Sequence, residues 1–143
     1  MPQLSALSIQ RLATCDLKLQ RLIEEVIKHY DVSVSQGHRG EAEQRLAFRL
    51  AGGQGQSRCD WPDSKHNSLP SLAVDILPYN QTFRGVPTYK DEWDILQFSF
   101  LGGIVLSLSW QLGISVRWGY DWNQNNYIVR DQKLNDGPHF ELT

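Results

Sequence analysis

With 143 residues, of which 41% are hydrophobic and 21% charged, the chain has the size and composition of one globular domain, which argues against extended disorder and against a second module. A formal charge of -2 supplies no global attraction to nucleic acid or to an anionic membrane, so any ligand must be met by a local site. The opening "MPQLSALSIQRLATC" has no basic leader followed by an apolar run, so no signal peptide is expected and cytoplasmic synthesis is. Cys15 and Cys59 are then expected as free thiols.

In chain order, residues 8–30 place Leu12, Leu19, Ile23, Val26, Ile27 and Tyr30 near helical spacing between charges such as Lys18, Arg21 and Glu24, which predicts one amphipathic helix. "DVSVSQG" switches to a period of two through Val32 and Val34 and predicts a short strand closed by Gly37. "EAEQRLAFRLAGG" predicts a helix that stops at its glycine pair. Residues 52–70 show neither period and predict a long exposed loop. "LAVDILPY" predicts a buried strand, and "YKDEWDILQFSF" opens a long helix.

Residues 95–114, "ILQFSFLGGIVLSLSWQLGI", contain no charge over about the length of a bilayer crossing. Gln97, Ser99, Ser107, Ser109 and Gln111 interrupt the apolar run, and no Lys or Arg cluster flanks it, so a central buried helix is expected and stable membrane insertion is not. "ISVRWGYDW" and "PHFELT" predict two further strands. Strands and helices that mix without regular alternation, and without a glycine-rich phosphate loop, predict an α+β fold: a small antiparallel sheet with helices packed on one side.

Four histidines are available. A hydrolytic zinc centre needs a few nitrogen or oxygen ligands on fixed elements with one position open to water. His66, Asp75 and His139 offer two imidazoles and a carboxylate. Asp136, three residues before His139, is placed to reach a water without occupying the metal, as a general base must. No compact two-histidine helical motif is present, so on residue chemistry alone a metal centre and a set of ordinary loop and turn residues both remain open. His29 suits a helix end, where its charge complements the dipole. His38 is a second choice as ligand. Trp61, Trp118, Tyr120 and Trp122 are expected in the core or as cleft walls, and Glu141 either supports the metal ligands or faces solvent.

Ser64-x-His66, the Ala73-Val74-Asp75 strand followed by Pro78, and the terminal Asp136-Gly-Pro-His139 together resemble the zinc L-alanyl-D-glutamate endopeptidases of bacteriophages. That family is related to D-alanyl-D-alanine carboxypeptidases and shares a fold with the Hedgehog signalling domain. "SQGHRGEAEQ" and "RWGYDWN" are similar to family segments in the same order, so the resemblance spans most of the chain as a single peptidase domain, residues 1–143. It implies that His66, Asp75 and His139 hold zinc, that Asp136 is the catalytic base, that Arg39 stabilises the oxyanion or holds the substrate carbonyl, and that Ser64 bonds substrate. Arg39 read without the resemblance is a surface ion pair, and Ser64 a turn former. The chain departs from the family in the longer loop between His66 and Asp75, "NSLPSLAV", where two extra residues are expected to bulge outward at Pro70.

The resemblance implies a monomeric zinc metallopeptidase that cuts the stem peptide of bacterial peptidoglycan, between L-alanine and D-glutamate, in phage-induced lysis. It would wait in the host cytoplasm until released to the wall. A D-alanyl-D-alanine carboxypeptidase with the same centre is the alternative enzyme. A non-catalytic zinc-stabilised binding domain is the alternative of another class, disfavoured by the presence of both Asp136 and Arg39, which a structural site does not need.

Overall fold

A computed structural model of the chain describes residues 2–50, 57, 59–79, 92–127 and 136–143. Four antiparallel strands form one sheet in the spatial order β1-β2-β4-β3, with β1 at Val32–Gln36, β2 at Ala73–Pro78, β3 at Val116–Gly119 and β4 at Asp136–Leu142. The helices are α1 (Ala6–Leu12), α2 (Leu17–Val26), α3 (Glu41–Leu50) and α4 (Glu92–Leu112), with a short 3-10 turn at Lys65–Asn67. This is the small antiparallel sheet with helices that the sequence predicts. The glycine pair expected to stop α3, and the first residues expected to open α4, lie outside the described residues.

The single helix expected over residues 8–30 is instead two helices. Thr14 turns its hydroxyl onto the Arg11 carbonyl at 2.6 Å, and Asp16 caps a new helix by accepting from the Lys18 amide at 2.9 Å. Short polar side chains that bond nearby backbone compete with helix continuation in this way. The break is used: Asp16 N donates to Ser71 O at 2.9 Å and Ser71 N to Thr14 O at 2.8 Å, which ties the helical corner to the segment entering β2.

Alternation along the strands sorts the sheet into two chemical faces. Val34, Val74, Ile76, Trp118 and Phe140 are buried in one cluster with Leu19, Leu22, Ile23 and Val26 of α2 and Phe98, Leu101 and Val105 of α4. The Trp118 and Phe140 rings stack at 6.0 Å between centroids. Asp75, His139, Glu141 and Arg117 occupy the intervening positions of the same strands, Asp75 paired with His139 and Arg117 with Glu141.

The expectation for α4 needs correction. Its Phe98, Leu101, Val105 and Leu108 are buried, but Leu96, Phe100 and Trp110 are exposed, so it covers the core with one side and is not central. Over Ile95–Leu112 the helix is long and apolar enough to cross a membrane by length and composition. Within the expected exposed loop, His66 and Asn67 are buried.

Gly102 is where α4 approaches the sheet most tightly, because a Cβ there would collide with the Trp118 indole. Gly102→Ala should therefore overpack the core and cost about 1–3 kcal/mol. Chemical denaturation would read this as a lower midpoint, and an unchanged midpoint would refute the close approach.

Candidate metal and catalytic centre

Register brings the centre together. Asp75 on β2 lies directly opposite His139 on β4, and His66 is delivered from the 3-10 turn. That turn is fixed at its start by Ser64, whose hydroxyl accepts from His66 N at 3.3 Å while Asn67 Oδ1 accepts from Ser64 N at 3.1 Å. Ser64 thus has a capping role in the turn. In the loop before Asp75, residues 68–70 are exposed, and His66 and Asp75 meet at 3.1 Å.

Three atoms converge. His66 Nε2 lies 3.1 Å from Asp75 Oδ1, His139 Nδ1 lies 3.1 Å from the same oxygen, and the two ring nitrogens are 3.2 Å apart. The far side of each ring faces an acceptor: His66 Nδ1 is 2.7 Å from the Gly37 carbonyl and His139 Nε2 is 2.9 Å from Glu141 Oε1. Those acceptors assign the N–H to the outer nitrogen of each ring. The inner nitrogens then both present lone pairs, next to a carboxylate oxygen.

Three acceptors facing one another repel unless a cation lies among them, so the donor set fits a metal ion, and outer acceptors of this kind orient metal-binding imidazoles. Among the described residues His66, Asp75 and His139 are the group that could hold one. The electrostatics agree with a place built for positive charge. Burial by itself lowers the His139 pKa, but Asp75 and Glu141 overcome it and raise the imidazole to about 10. Burial raises the Asp75 carboxyl, yet His66 and His139 hold it well below the usual carboxylate range.

Glu141, left between two roles by the sequence, is buried against His139. Its second oxygen accepts from Arg117 Nη2 at 2.9 Å, with Lys65 Nζ at 3.9 Å. Burial raises its pKa, while His139 and Arg117 lower it further, so it stays ionised. Arg117 lies over the Trp122 ring, 5.2 Å from its centroid, and that ring sits 5.2 Å from the His139 ring. Trp122 is accordingly a wall of the centre, whereas Trp118 and Tyr120 belong to the core.

Asp136 begins β4 opposite Gly119, at a break in the β3 register. A Cβ at Gly119 would collide with the Asp136 carbonyl, so the glycine permits the strands to close there. Burial and then the Asp75 charge raise the Asp136 pKa to about 6, against the opposing pull of His139, His66 and Arg39. Arg39 is not a surface ion pair: it is 8% exposed, and its Nη2 lies 3.9 Å from Asp75 Oδ2. His38 and His29 stay outside the centre. His38 Nδ1 pairs with the Ser68 carbonyl at 2.9 Å, and His29 lies 3.4 Å from Glu25 on the surface. A residue the sequence reading missed is Gln44, fully buried beside Arg39. Its polar type within the helical pattern of α3 was the available signal.

A small antiparallel sheet gathers two imidazoles and a carboxylate at its polar face, with a second acid and a guanidinium acting on them electrostatically. The chain belongs to the phage L-alanyl-D-glutamate peptidase family, whose model matches residues 2–143. Its structure is similar to that of the L-Ala D-Glu endopeptidase ChiX of Serratia marcescens, with a TM-score of 0.69, 25% identity, and coverage of 99% of this chain and 90% of that one. A variant of the vancomycin resistance D,D-pentapeptidase VanY, from a VanB-type cassette and in complex with Zn(II), aligns with a TM-score of 0.49 and 13% identity over 90% of this chain and 72% of that one. No curated protein sequence matches the chain.

The geometry makes a graded expectation for metal binding. His66→Ala and His139→Ala should abolish tight zinc binding in calorimetric titration of the metal-free protein. Glu141→Ala, which removes an orienting acceptor and the partner of Arg117 but none of the three converging side chains, should weaken it about 10- to 100-fold. Full affinity in all three variants would remove the metal from this site.

Proposed function

We propose that the chain hydrolyses the L-alanyl-D-glutamate bond of the peptidoglycan stem peptide during phage-induced lysis, with zinc held by His66, Asp75 and His139, within one domain spanning residues 1–143. The observation that carries this reading is the convergence of three facing acceptor atoms beside a second, protonatable carboxyl, in a chain matched by the family over residues 2–143. Zinc at such a position supplies a Lewis acid that polarises a peptide carbonyl and lowers the pKa of water toward neutrality.

The remaining work falls to the chain. Asp136 takes the proton from the attacking water as oxygen bonds to the L-alanyl carbonyl carbon. It returns that proton to the departing D-glutamate amine as the C–N bond breaks, leaving an L-alanine carboxylate and a new amino terminus. Arg39, half of whose guanidinium faces the centre, stabilises the negative oxygen of the tetrahedral intermediate. A binding domain would need neither group. Ser64 is proposed as a further contact to substrate from its place beside His66.

The proposal extends to a monomeric protein without stable membrane insertion, held in the host cytoplasm before release. Sedimentation and cell fractionation test this directly: a dimer, or recovery in the membrane fraction, would overturn that part.

Digested peptidoglycan should yield peptides beginning with D-glutamate when products are sequenced by mass spectrometry; release of D-alanine alone would convert the reading to a carboxypeptidase. Asp136→Asn should retain fold and zinc while turnover falls by about two to four orders of magnitude. The acid limb of kcat/KM reports the same residue. A base works when deprotonated, and Asp136 is raised to about 6 before any dication pulls it down. Activity should therefore decline as pH falls through a limb at or below about 6, and a limb near 8 would exclude Asp136 as the base.

A further inference from the structure

Gln44 is a buried polar side chain near the centre with every donor and acceptor bonded. It projects from α3 and is 0% exposed. Its carbonyl oxygen accepts from Arg39 Nη1 at 3.0 Å and from Asn67 Nδ2 at 3.1 Å. Its amide nitrogen donates to Ser57 Oγ and to the Cys59 carbonyl, both at 2.6 Å. Two lone pairs and two N–H groups thereby meet four partners, which is all that an amide can satisfy.

The direction of this amide is forced. The Cys59 carbonyl can only accept, and the guanidinium of Arg39 and the amide nitrogen of Asn67 can only donate. A flipped Gln44 would set N–H against N–H on one side and oxygen against oxygen on the other. With Gln44 fully buried, such a mismatch costs the desolvation of the groups left unpaired.

Arg39 is held at both ends of its length. Its backbone N donates to His66 O at 2.8 Å, and its carbonyl accepts from Asn67 Nδ2 at 3.1 Å. Its Nη1 is anchored on Gln44, which leaves Nη2 turned toward Asp75 at 3.9 Å. That separation exceeds a hydrogen bond. A long, flexible cation beside a carboxylate would ordinarily close onto it in a bidentate pair. The anchor opposes that collapse and keeps one edge of the guanidinium available to substrate.

We propose that Gln44 is the positioning residue of Arg39, setting the guanidinium at the distance from Asp75 that oxyanion stabilisation requires. Gln44 touches no reacting atom and acts through Arg39 alone. The inference rests on the reading of Arg39 given above. It predicts a specific kinetic pattern: the interaction is expressed in the transition state, so kcat falls while KM changes little. Losing a hydrogen bond to a charged group, with the displacement that follows, should slow turnover about 10- to 100-fold.

The test is a double-mutant cycle on the zinc-loaded full chain with a defined stem-peptide substrate, using Gln44→Met, Arg39→Ala and the pair, each checked for zinc content and melting temperature. Gln44→Met should lower kcat as above with KM nearly unchanged. In the Arg39→Ala background it should change kcat by less than about twofold, since residues acting as a unit are not additive. Effects that multiply, or a rise in KM equal to the loss in kcat, would overturn the assignment and make Gln44 a packing residue.

Gln44→Glu sets its second oxygen against the Cys59 carbonyl, a cost read as a lower melting temperature, but it keeps acceptor oxygens toward Arg39 and Asn67, so it is the control for a Met variant that does not fold. It should retain more turnover than Gln44→Met, or, where that variant does not fold, stay within about tenfold of the native chain. A Glu variant as slow as Arg39→Ala would refute the role. Near-native turnover of Arg39→Ala itself would sink the parent reading and this inference together. Release of D-alanine with the cycle still non-additive would overturn only the bond assignment.

Discussion

The pairing of β2 with β4 sets Asp75 opposite His139, and the rest of the centre is organised around that register. A strand has a side-chain period of two, so slipping the pair by one residue would turn Asp75 and His139 into the apolar cluster and bring Val74 and Phe140 out of it. The cost of burying a carboxylate and an imidazole among Leu22, Ile76 and Phe98, together with the loss of Phe140 from its stack on Trp118, makes the alternative register strongly unfavourable. The hydrophobic core thus fixes the polar face behind it.

On that polar face the two imidazoles are held by their outer neighbours. The Gly37 carbonyl takes one imidazole N–H and Glu141 the other, which points lone pairs inward. Glu141 is in turn neutralised by Arg117, so a carboxylate can be buried without an uncompensated charge. From the surface inward, positive and negative ends meet in turn: guanidinium to carboxylate, carboxylate to imidazole N–H, and imidazole lone pair toward the space among the three acceptors. A cation placed there completes the alternation, which explains why the imidazole of His139 is so strongly disposed to carry positive charge when a proton is what occupies that role.

A second polar network sits beside the first and surrounds a single charge with neutral groups. Arg39, Gln44, Asn67, Ser57 and the Cys59 carbonyl close a set of hydrogen bonds around one guanidinium. The backbone bond from Arg39 to His66 joins the two networks. Displacing the turn at Lys65–Asn67 would disturb His66 and the guanidinium together. The three facing acceptors and the guanidinium therefore share one scaffold.

Local pattern alone determined the strand faces, while the choice of His66, Asp75 and His139 as candidate ligands came from the family resemblance. Val32 and Val34 read as an alternating strand, and Asp136-Gly-Pro-His139 and Ser64-x-His66 supplied residue types that suit a hydrolytic metal centre. It misjudged the break at Thr14 to Asp16, because a side chain's choice between helix and backbone capping was decided by the bonds to Ser71. It also read α4 as central, since a run apolar on every side carries no periodic signal to tell its buried face from its exposed one. The convergence of His66, Asp75 and His139, the direction of Glu141 and the enclosure of Gln44 belonged to the tertiary structure alone. Asp75 and His139 are separated by 64 positions, and sequence periodicity reports which face is buried, whereas contact across that separation is set by how the strands pair.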